Sequence, residues 1–122
     1  MNMSKVVQAV NAMIANPEYI DRVTRGGHGE LFFVYKRKYK WSMRRDADGE
    51  IFLYYYPGQQ SLDQLARFDD DDWQDFADMV VYSSREIGTR EAQSSFNELY
   101  TLLKERVFGI NEVLDDIIKD DL

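Results

Sequence analysis

The chain has 122 residues and a formal net charge of −7 at pH 7, with 44% hydrophobic and 30% charged residues. This length and composition predict one folded domain, residues 1–122, and exclude intrinsic disorder. The lack of cysteine excludes disulfides and thiolate chemistry, and the single histidine, His28, excludes any mechanism that needs two. No apolar run approaches the roughly 20 residues that span a bilayer, and the first residues do not form a signal-peptide pattern. We therefore expect a soluble, cytoplasmic protein that does not associate with membranes.

Charge is divided unevenly along the chain. Residues 1–61 carry nine Lys/Arg and six Asp/Glu, a net of +3, whereas residues 62–122 carry six and sixteen, a net of −10. No linker rich in proline, glycine and serine separates the two halves. The pattern predicts a single domain with a basic side and an acidic side.

The N-terminal segment is predicted to be helical. Ser4 is a suitable N-cap, and apolar residues follow it at helical spacing: Val6, Val7, Val10, Met13 and Ile14. Asn16-Pro17 is typical of a new helix start. A short second helix carrying Tyr19, Ile20 and Val23 is then predicted, ending at Gly26-Gly27-His28-Gly29.

The middle of the chain is predicted to form three antiparallel strands in a meander. Leu31–Tyr35 is rich in aromatic and β-branched residues, residues 38–44 alternate between polar and apolar, and residues 50–56 form the third strand. Asp46-Ala-Asp-Gly49 has the composition of a hairpin turn. Lys36-Arg37-Lys38 lacks that composition, but we expect a hairpin there too.

The second half is predicted to contain several helices packed on this sheet. Ser61 and Gln64 form a capping box, Trp73, Phe76, Ala77, Val80 and Val81 recur at helical spacing, and Thr89 can cap a long helix after Gly88. Gly109 precedes a final amphipathic segment, whose apolar stripe we expect in the core, with a helix-in-groove or dimer contact as alternatives. The order of elements predicts an α+β domain.

Two surfaces of the predicted sheet are candidates for binding. Six of the 15 basic residues occupy ten positions, interleaved with Tyr39 and Trp41, as in single-strand nucleic-acid platforms: Lys36, Arg37, Lys38, Lys40, Arg44 and Arg45. The period of two, however, separates these rings from most of the cations, which favours a solvated strand face. The first and third strands are apolar on both faces, so one face is either covered by helices or open to a partner protein through Trp41, Phe52, Tyr54 and Tyr56.

The acidic run is interpreted as a helix cap and solvated face, consisting of Asp69, Asp70, Asp71, Asp72 and Asp75. Because the run lacks the glycine of a calcium loop, no metal site is predicted, and no cofactor is expected. Asp46-x-Asp48-Gly49 matches only part of an EF-hand loop. Gly26–Gly29 precedes a strand, which is the wrong context for a phosphate loop, so we interpret it as a flexible connector.

These features favour a small, non-catalytic protein-interaction protein that binds another protein through the aromatic sheet face or the acidic helical half, with homodimerisation possible by the same route. The α-β-β-β-α order, size and acidity are loosely similar to bacterial secretion chaperones and small immunity-type proteins, which implies an adaptor-like role. The first alternative is a single-stranded nucleic-acid protein using residues 36–45. The second is an enzyme with carboxylates and a tyrosine in a cleft beside the sheet, for which no catalytic residue is selected by spacing.

Overall fold

The structure, a computed structural model, describes residues 3–75 and 78–120. In these ranges the chain forms six helices and five strands, with short 3-10 turns at Pro17–Tyr19 and Gly27–Gly29. The helices are α1 (Met3–Ala15), α2 (Leu62–Ala66), α3 (Asp70–Asp75), α4 (Ser84–Ile87), α5 (Arg90–Phe108) and α6 (Ile110–Lys119). The strands are β1 (Ile20–Arg25), β2 (Leu31–Tyr35), β3 (Tyr39–Arg45), β4 (Ile51–Tyr56) and β5 (Val80–Ser83).

Each strand pairs antiparallel with the next in the order β1-β2-β3-β4-β5. The predicted combination of helices with an antiparallel sheet is confirmed, and the central three strands are those expected. The prediction of only three strands is wrong in detail, because one further strand has been added at each edge of the sheet.

The first added strand replaces the predicted second helix. Helical structure after Pro17 is limited to the single turn Pro17–Tyr19, and Ile20–Arg25 instead pairs with β2. Ile20 and Val23 are β-branched and lose side-chain freedom in a helix. In β1 their side chains pack against the core beside Tyr35 and Phe33, so pairing outweighs the local helical spacing.

The second added strand replaces part of the predicted helix from Trp73 to Val81. Helix α3 ends at Asp75, and Val80–Ser83 pairs with β4 as β5. Phe76 and Ala77 lie outside the described residues. The consecutive valines Val80 and Val81 suit a strand better than a helix, and the otherwise unpaired edge of β4 provides their hydrogen-bonding partners.

The turn and cap signals in the second half of the meander and after it are confirmed, whereas Ser4 lies inside α1 and Asn16 forms no side-chain cap. Gly49 has a φ of 87° in the β3–β4 turn, and Asp46 Oδ1 accepts backbone hydrogen bonds from Asp48 and Glu50. Ser61 forms the predicted capping box, and Thr89 caps α5 by accepting from the backbone N–H of Ala92. The β2–β3 hairpin also forms, with Lys36 and Arg37 in the left-handed region.

One face of the sheet, the first face, is covered by α1 and α5. The core between them is formed by apolar side chains from all three layers, among them Val10, Met13, Leu31, Phe33, Met43, Leu53, Phe96, Leu99 and Leu103. The two helices are also joined by a hydrogen bond of 2.6 Å from Ser95 Oγ to Asn11 Oδ1. This layer contains most of the buried apolar surface, and so most of the hydrophobic stabilisation.

The opposite face, the second face, is covered only in part. Leu62 and Leu65 of α2 pack on Phe32 and Tyr56, and Trp73 of α3 packs beside them. The rest of this face carries the side chains of alternate residues of β3 and β4, which include Arg44 and Tyr54. A cleft remains where the helices end.

Among residues 3–75 and 78–120, no helix has both the length and the apolar character that crossing a bilayer requires.

Candidate functional site

The cleft on the second face has a volume of about 660 Å³, within the range of roughly 300–1,000 Å³ typical of small-molecule sites. The sheet contributes Arg44, Tyr54 and Tyr56, the α2–α3 segment contributes Phe68 and Trp73, and the segment before β2 contributes Glu30. Two charged lining residues, Glu30 and Arg44, are partly buried, and the other polar lining side chains with a charge or an imidazole are exposed: His28, Arg67 and Asp69. The cleft therefore combines flat aromatic walls with both acidic and basic side chains.

Glu30 is held by two hydroxyl groups from the sheet. Ser42 Oγ donates to Glu30 Oε2 at 2.5 Å, and the Tyr56 hydroxyl lies 3.3 Å from the same oxygen. Ser42 Oγ and the Tyr56 hydroxyl are themselves 2.8 Å apart. Ser42 and Tyr56 are almost completely buried, so their positions are set by the packing of the sheet.

Burial raises the pKa of Glu30, and this effect is opposed by the hydrogen bonds from Ser42 and Tyr56 and by the positive charge of Arg44. Burial, together with the nearby Glu30 carboxylate, also raises the pKa of Tyr56. Tyr56 is therefore a neutral hydrogen-bond donor at neutral pH. The carboxyl group of Glu30 faces the cleft with one oxygen held in place.

Arg44 is the partly buried basic side chain of the cleft, whereas Arg67, which also lines it, is exposed. Its Nη2 donates to the Tyr54 hydroxyl at 3.2 Å, and its guanidinium lies 4.8 Å from the centre of the Phe52 ring. The hydrogen bond to Tyr54 raises the pKa of Arg44, so the group stays charged. A guanidinium has five N–H donors, so most of its donors remain to bind a ligand.

Trp73 forms the aromatic wall on the helical side. Its ring is nearly parallel to that of Phe32, with centres 6.3 Å apart and an angle of 7° between the planes. It meets Phe68 edge-on at 4.9 Å and lies tilted against Tyr56 at 5.9 Å. One side of the indole thus rests on the core, and the side chain remains partly exposed.

The glycine-rich segment 26–29 borders the cleft as an ordered turn. A Cβ atom added at Gly26 would overlap the Phe32 ring, so only glycine permits this approach. His28 has a φ of 58° and lines the cleft. The Tyr100 hydroxyl donates to the Gly29 carbonyl at 3.0 Å and ties the turn to α5. These contacts tie the segment to the core and to α5. The flexibility expected from the sequence stays a prediction.

The four predicted partner-binding aromatics lie on two different faces. Phe52, Tyr54 and Tyr56 share the second face, where Tyr56 is buried and the other two are partly exposed. Trp41 is on the first face, where its ring lies 4.9 Å from that of Tyr55 and packs against the core. The strand alternation in the sequence already separates Trp41 from the other three.

The predicted basic patch is dispersed. Lys40 is tied to the carbonyls of Gly58 and Gln60, Arg45 contacts Asn97 and the Tyr100 ring on the first face, and Arg44 lines the cleft. The remaining three lie at the β2–β3 turn, where they contact nearby rings or Asp21: Lys36, Arg37 and Lys38.

The pairing of β3 with β4 does bring basic side chains and aromatic rings together on one face of the sheet. Lys40 is paired with Tyr56, and Arg44 with Phe52, so β4 places aromatic rings on the same face as these two cations. The rings that accompany Arg44 therefore come from the neighbouring strand rather than from Tyr39 and Trp41.

The acidic run forms a helix cap. The backbone N–H of Asp72 donates to Asp69 Oδ1 at 2.9 Å, and that of Asp69 donates to Asp72 Oδ2 at 3.0 Å. Asp71 is exposed, and the side chains of Asp70 and Asp75 lie outside what the structure describes. Across the described ranges, no three acidic or histidine side chains converge on a possible metal position.

A second candidate surface lies on the C-terminal helix. No residue of α6 is buried, and its aliphatic side chains are about half exposed: Val113 49%, Leu114 47%, Ile117 62% and Ile118 59%. We call these four residues the α6 stripe. The expectation that this stripe belongs to the core is wrong, because its four side chains are exposed and belong to neither core cluster of the described residues.

Sequence reasoning missed Glu30, Ser42 and Trp73 as members of one site. Glu30 stands alone between Gly29 and Leu31, with no spacing that marks it. Ser42 could have been placed on the second face from the alternation of β3, but its contact with Glu30 depends on how the 26–29 turn folds back. Trp73 was assigned to a core stripe of a longer helix.

In comparisons with known proteins, no family model matches this chain, no curated protein matches it in sequence, and no solved structure matches it in fold.

Proposed function

We propose that this protein is a non-catalytic protein-interaction module that binds a partner protein through the α6 stripe. The observation that carries the proposal is the exposure of all four aliphatic side chains of the stripe on a helix that buries none of its residues. This exposure supports the acidic helical half, rather than the aromatic sheet face, as the proposed binding surface.

The physical reason concerns the stability of the helix itself. Helices shorter than about 12–15 residues are marginal in water, and in proteins they are stabilised by packing their apolar face. Helix α6 has 10 residues, and its N-cap position is Gly109, which has a φ of 63° and provides no side-chain cap. A surface that covers the stripe would supply the missing stabilisation.

The spacing of the stripe matches a helix that enters a groove. Together with Ile110, which precedes it in α6, the stripe follows the i, i+3, i+4, i+7, i+8 pattern of helix-in-groove recognition. Phe108, which is 58% exposed, extends the apolar surface at the N-terminal end.

The charges beside the stripe indicate the chemistry of the partner. Within α6, Glu112, Asp115 and Asp116 outnumber the single Lys119, and two further aspartates follow at positions 120 and 121. An apolar groove bordered by Lys and Arg would be complementary in charge. A second copy of α6 would add like charges along the contact, and membrane-surface helices carry basic rather than acidic polar faces.

Site-specific photocrosslinking tests this proposal. A photoreactive residue is placed at Leu114, in the stripe, and separately at the exposed neighbour Asp115 on the polar side of the helix. Both proteins are irradiated in a nuclease-treated native lysate. We expect a discrete partner crosslinked from Leu114 and not from Asp115, and the purified partner should bind the Ile117→Asp variant at least about tenfold more weakly.

Other outcomes would contradict the proposal. Crosslinking of the chain to itself from Leu114 would identify a second copy as the occupant. Equal crosslinking from both positions, or unchanged affinity of the Ile117→Asp variant, would show that the stripe does not form the contact.

A further inference from the structure

We propose that the cleft on the second face binds a planar heterocycle whose edge carries a ring N–H beside a carbonyl group, the arrangement found in hypoxanthine and guanine. Glu30 would accept a hydrogen bond from the N–H, Arg44 would donate to the carbonyl, and the aromatic side chains would pack on the ring. This inference does not depend on the α6 stripe.

Glu30 and Arg44 have opposite hydrogen-bonding roles. A carboxylate only accepts and a guanidinium only donates. Both side chains line the same cleft and interact electrostatically with each other. A ligand edge with one donor and one acceptor is therefore matched, whereas two acceptors or two donors would leave one protein group without a partner.

The hydrogen-bond acceptor, the carboxyl group of Glu30, is held in a fixed position. One carboxyl oxygen of Glu30 already receives hydrogen bonds from Ser42 and Tyr56, both almost completely buried. Within residues 3–75 and 78–120, no salt bridge consumes the other oxygen. Binding a ligand therefore needs little reorientation of the carboxyl group, and such preorganisation lowers the cost of binding.

The charged side chains of the cleft limit the charge that a ligand can carry. A quaternary ammonium group would suit the aromatic rings, but Arg44 places a positive charge in the same cleft. A phosphate would suit Arg44, but it would face the Glu30 carboxylate. Glu30 and Arg44 are the partly buried charges of the cleft and oppose each other, as do the exposed Arg67 and Asp69, so a neutral polar edge is favoured. The flat walls favour a planar ring, and they are formed by Trp73, Tyr54 and Tyr56.

The size of the cleft limits the size of the ligand. The cleft volume of about 660 Å³ exceeds what a single heterocycle needs, so it can also hold a sugar attached to the ring. The ligand could be a free nucleoside or a base exposed in a single strand, since both present the same edge.

The test uses inosine, which carries the N–H and carbonyl edge, with 1-methylinosine and adenosine as analogues that lack the ring N–H. Binding is followed by quenching of Trp73 fluorescence in a Trp41→Phe background, because Trp41 lies on the opposite face. Saturation-transfer NMR on the wild-type protein provides a second readout. We expect saturable binding of inosine, and binding of each analogue weaker by about tenfold or more.

Two adjacent arginines provide a matched pair of variants. Arg44→Gln removes the donor in the cleft, whereas Arg45→Gln changes a side chain that contacts Asn97 on the first face. We expect Arg44→Gln to weaken inosine binding by about tenfold or more and Arg45→Gln to leave it unchanged. Glu30→Gln should weaken it comparably, because Ser42 and Tyr56 would hold the amide oxygen and turn the amide nitrogen, a donor, towards the ligand.

A further binding experiment distinguishes a free nucleoside from a base in a single strand as the natural ligand. Short single-stranded oligonucleotides with one central guanine are compared with inosine on the same protein. The matched control strands contain only adenine and cytosine, because thymine and uracil also carry a ring N–H beside a carbonyl. Tighter binding of the guanine strand indicates a base in a single strand, and binding of inosine alone indicates a free nucleoside.

The inference is overturned by an absence of saturable inosine binding, by equal binding of 1-methylinosine, or by equal effects of the two arginine variants. Ile117→Asp should bind inosine normally, which separates this result from the fate of the α6 proposal.

Discussion

The hydroxyl of Tyr56 lies 3.3 Å from Oε2 of Glu30, although the two residues are 26 positions apart in the sequence. Tyr56 is 2% exposed, and Ser42, which contacts both groups, is fully buried. Hydroxyl donors, not a salt bridge, thus hold a largely buried carboxyl group at the cleft. The balance between its burial and these hydrogen bonds makes the stability of the protein sensitive to pH.

The first prediction concerns this pH dependence. Burial raises the pKa of Glu30 above its ordinary value of 4.5, so the folded state binds the proton more tightly than the unfolded state does. Its contribution to stability is fully present below pH 4.5 and is lost as the pH rises through the folded-state pKa. Each tenfold difference in proton affinity corresponds to about 1.4 kcal/mol.

Urea unfolding of the wild type and of Glu30→Gln from pH 4.5 to about pH 7 measures this effect. We expect the wild type to lose stability relative to the variant as the pH rises. A difference between the two proteins that stays constant over this range would contradict the raised pKa.

The second prediction concerns the approach of the 26–29 turn to the core. Gly26→Ala places a methyl group against the Phe32 ring, whereas Gly27→Ala places one in open space. Overpacking of this kind typically costs about 1–3 kcal/mol. We expect a lower free energy of unfolding for Gly26→Ala, measured by urea denaturation, and little change for Gly27→Ala. Equal effects would mean that Phe32 does not define the turn.

The third prediction separates the α6 stripe from the core. Ile117→Asp changes a side chain that is 62% exposed, whereas Leu103→Ala removes one that is fully buried in α5. We expect Leu103→Ala to lower the free energy of unfolding by about 2–5 kcal/mol and Ile117→Asp to change it by less than about 0.5 kcal/mol. Marked destabilisation by Ile117→Asp in the isolated protein would place the stripe in an intramolecular contact.

The fourth prediction concerns the β2–β3 turn. Lys36 and Arg37 have φ values of 55° and 63°, a conformation that costs non-glycine residues about 1–2 kcal/mol. We expect Arg37→Gly to raise the melting temperature by relieving this strain. Lys38→Gly, at a position without a positive φ, should lower it. A lower melting temperature for Arg37→Gly would indicate that the contact of Arg37 with Asp21 contributes more than the strain costs.

Features determined by neighbouring residues could be predicted from the sequence. The Asp46–Gly49 turn, the Ser61 capping box and the Thr89 cap follow from side chains that bind nearby backbone. The break at Gly109 follows from the freedom of glycine to adopt a positive φ. The three central strands were likewise predictable, because their alternation and β-branched content do not depend on which element packs against them.

Only the tertiary structure decided which apolar segments become edge strands. Ile20–Arg25 and Val80–Ser83 carry patterns compatible with a helix, and each became a strand because an unpaired sheet edge was available beside it. Hydrogen bonds to a distant strand are not encoded in the local spacing that suggested helices.

Some features of the two candidate sites could also be predicted from the sequence, and others depend on the tertiary structure. The sequence alone determined that α6 is amphipathic and flanked by acids, and that β4 carries Phe52, Tyr54 and Tyr56 on one face. The tertiary structure decided that no residue of α6 is buried, that Glu30 and Arg44 line one cleft, and that Ser42 holds Glu30 there. Amphipathicity and alternation are local properties of the chain, whereas burial and convergence depend on contacts between residues far apart in sequence, which only the packed fold specifies.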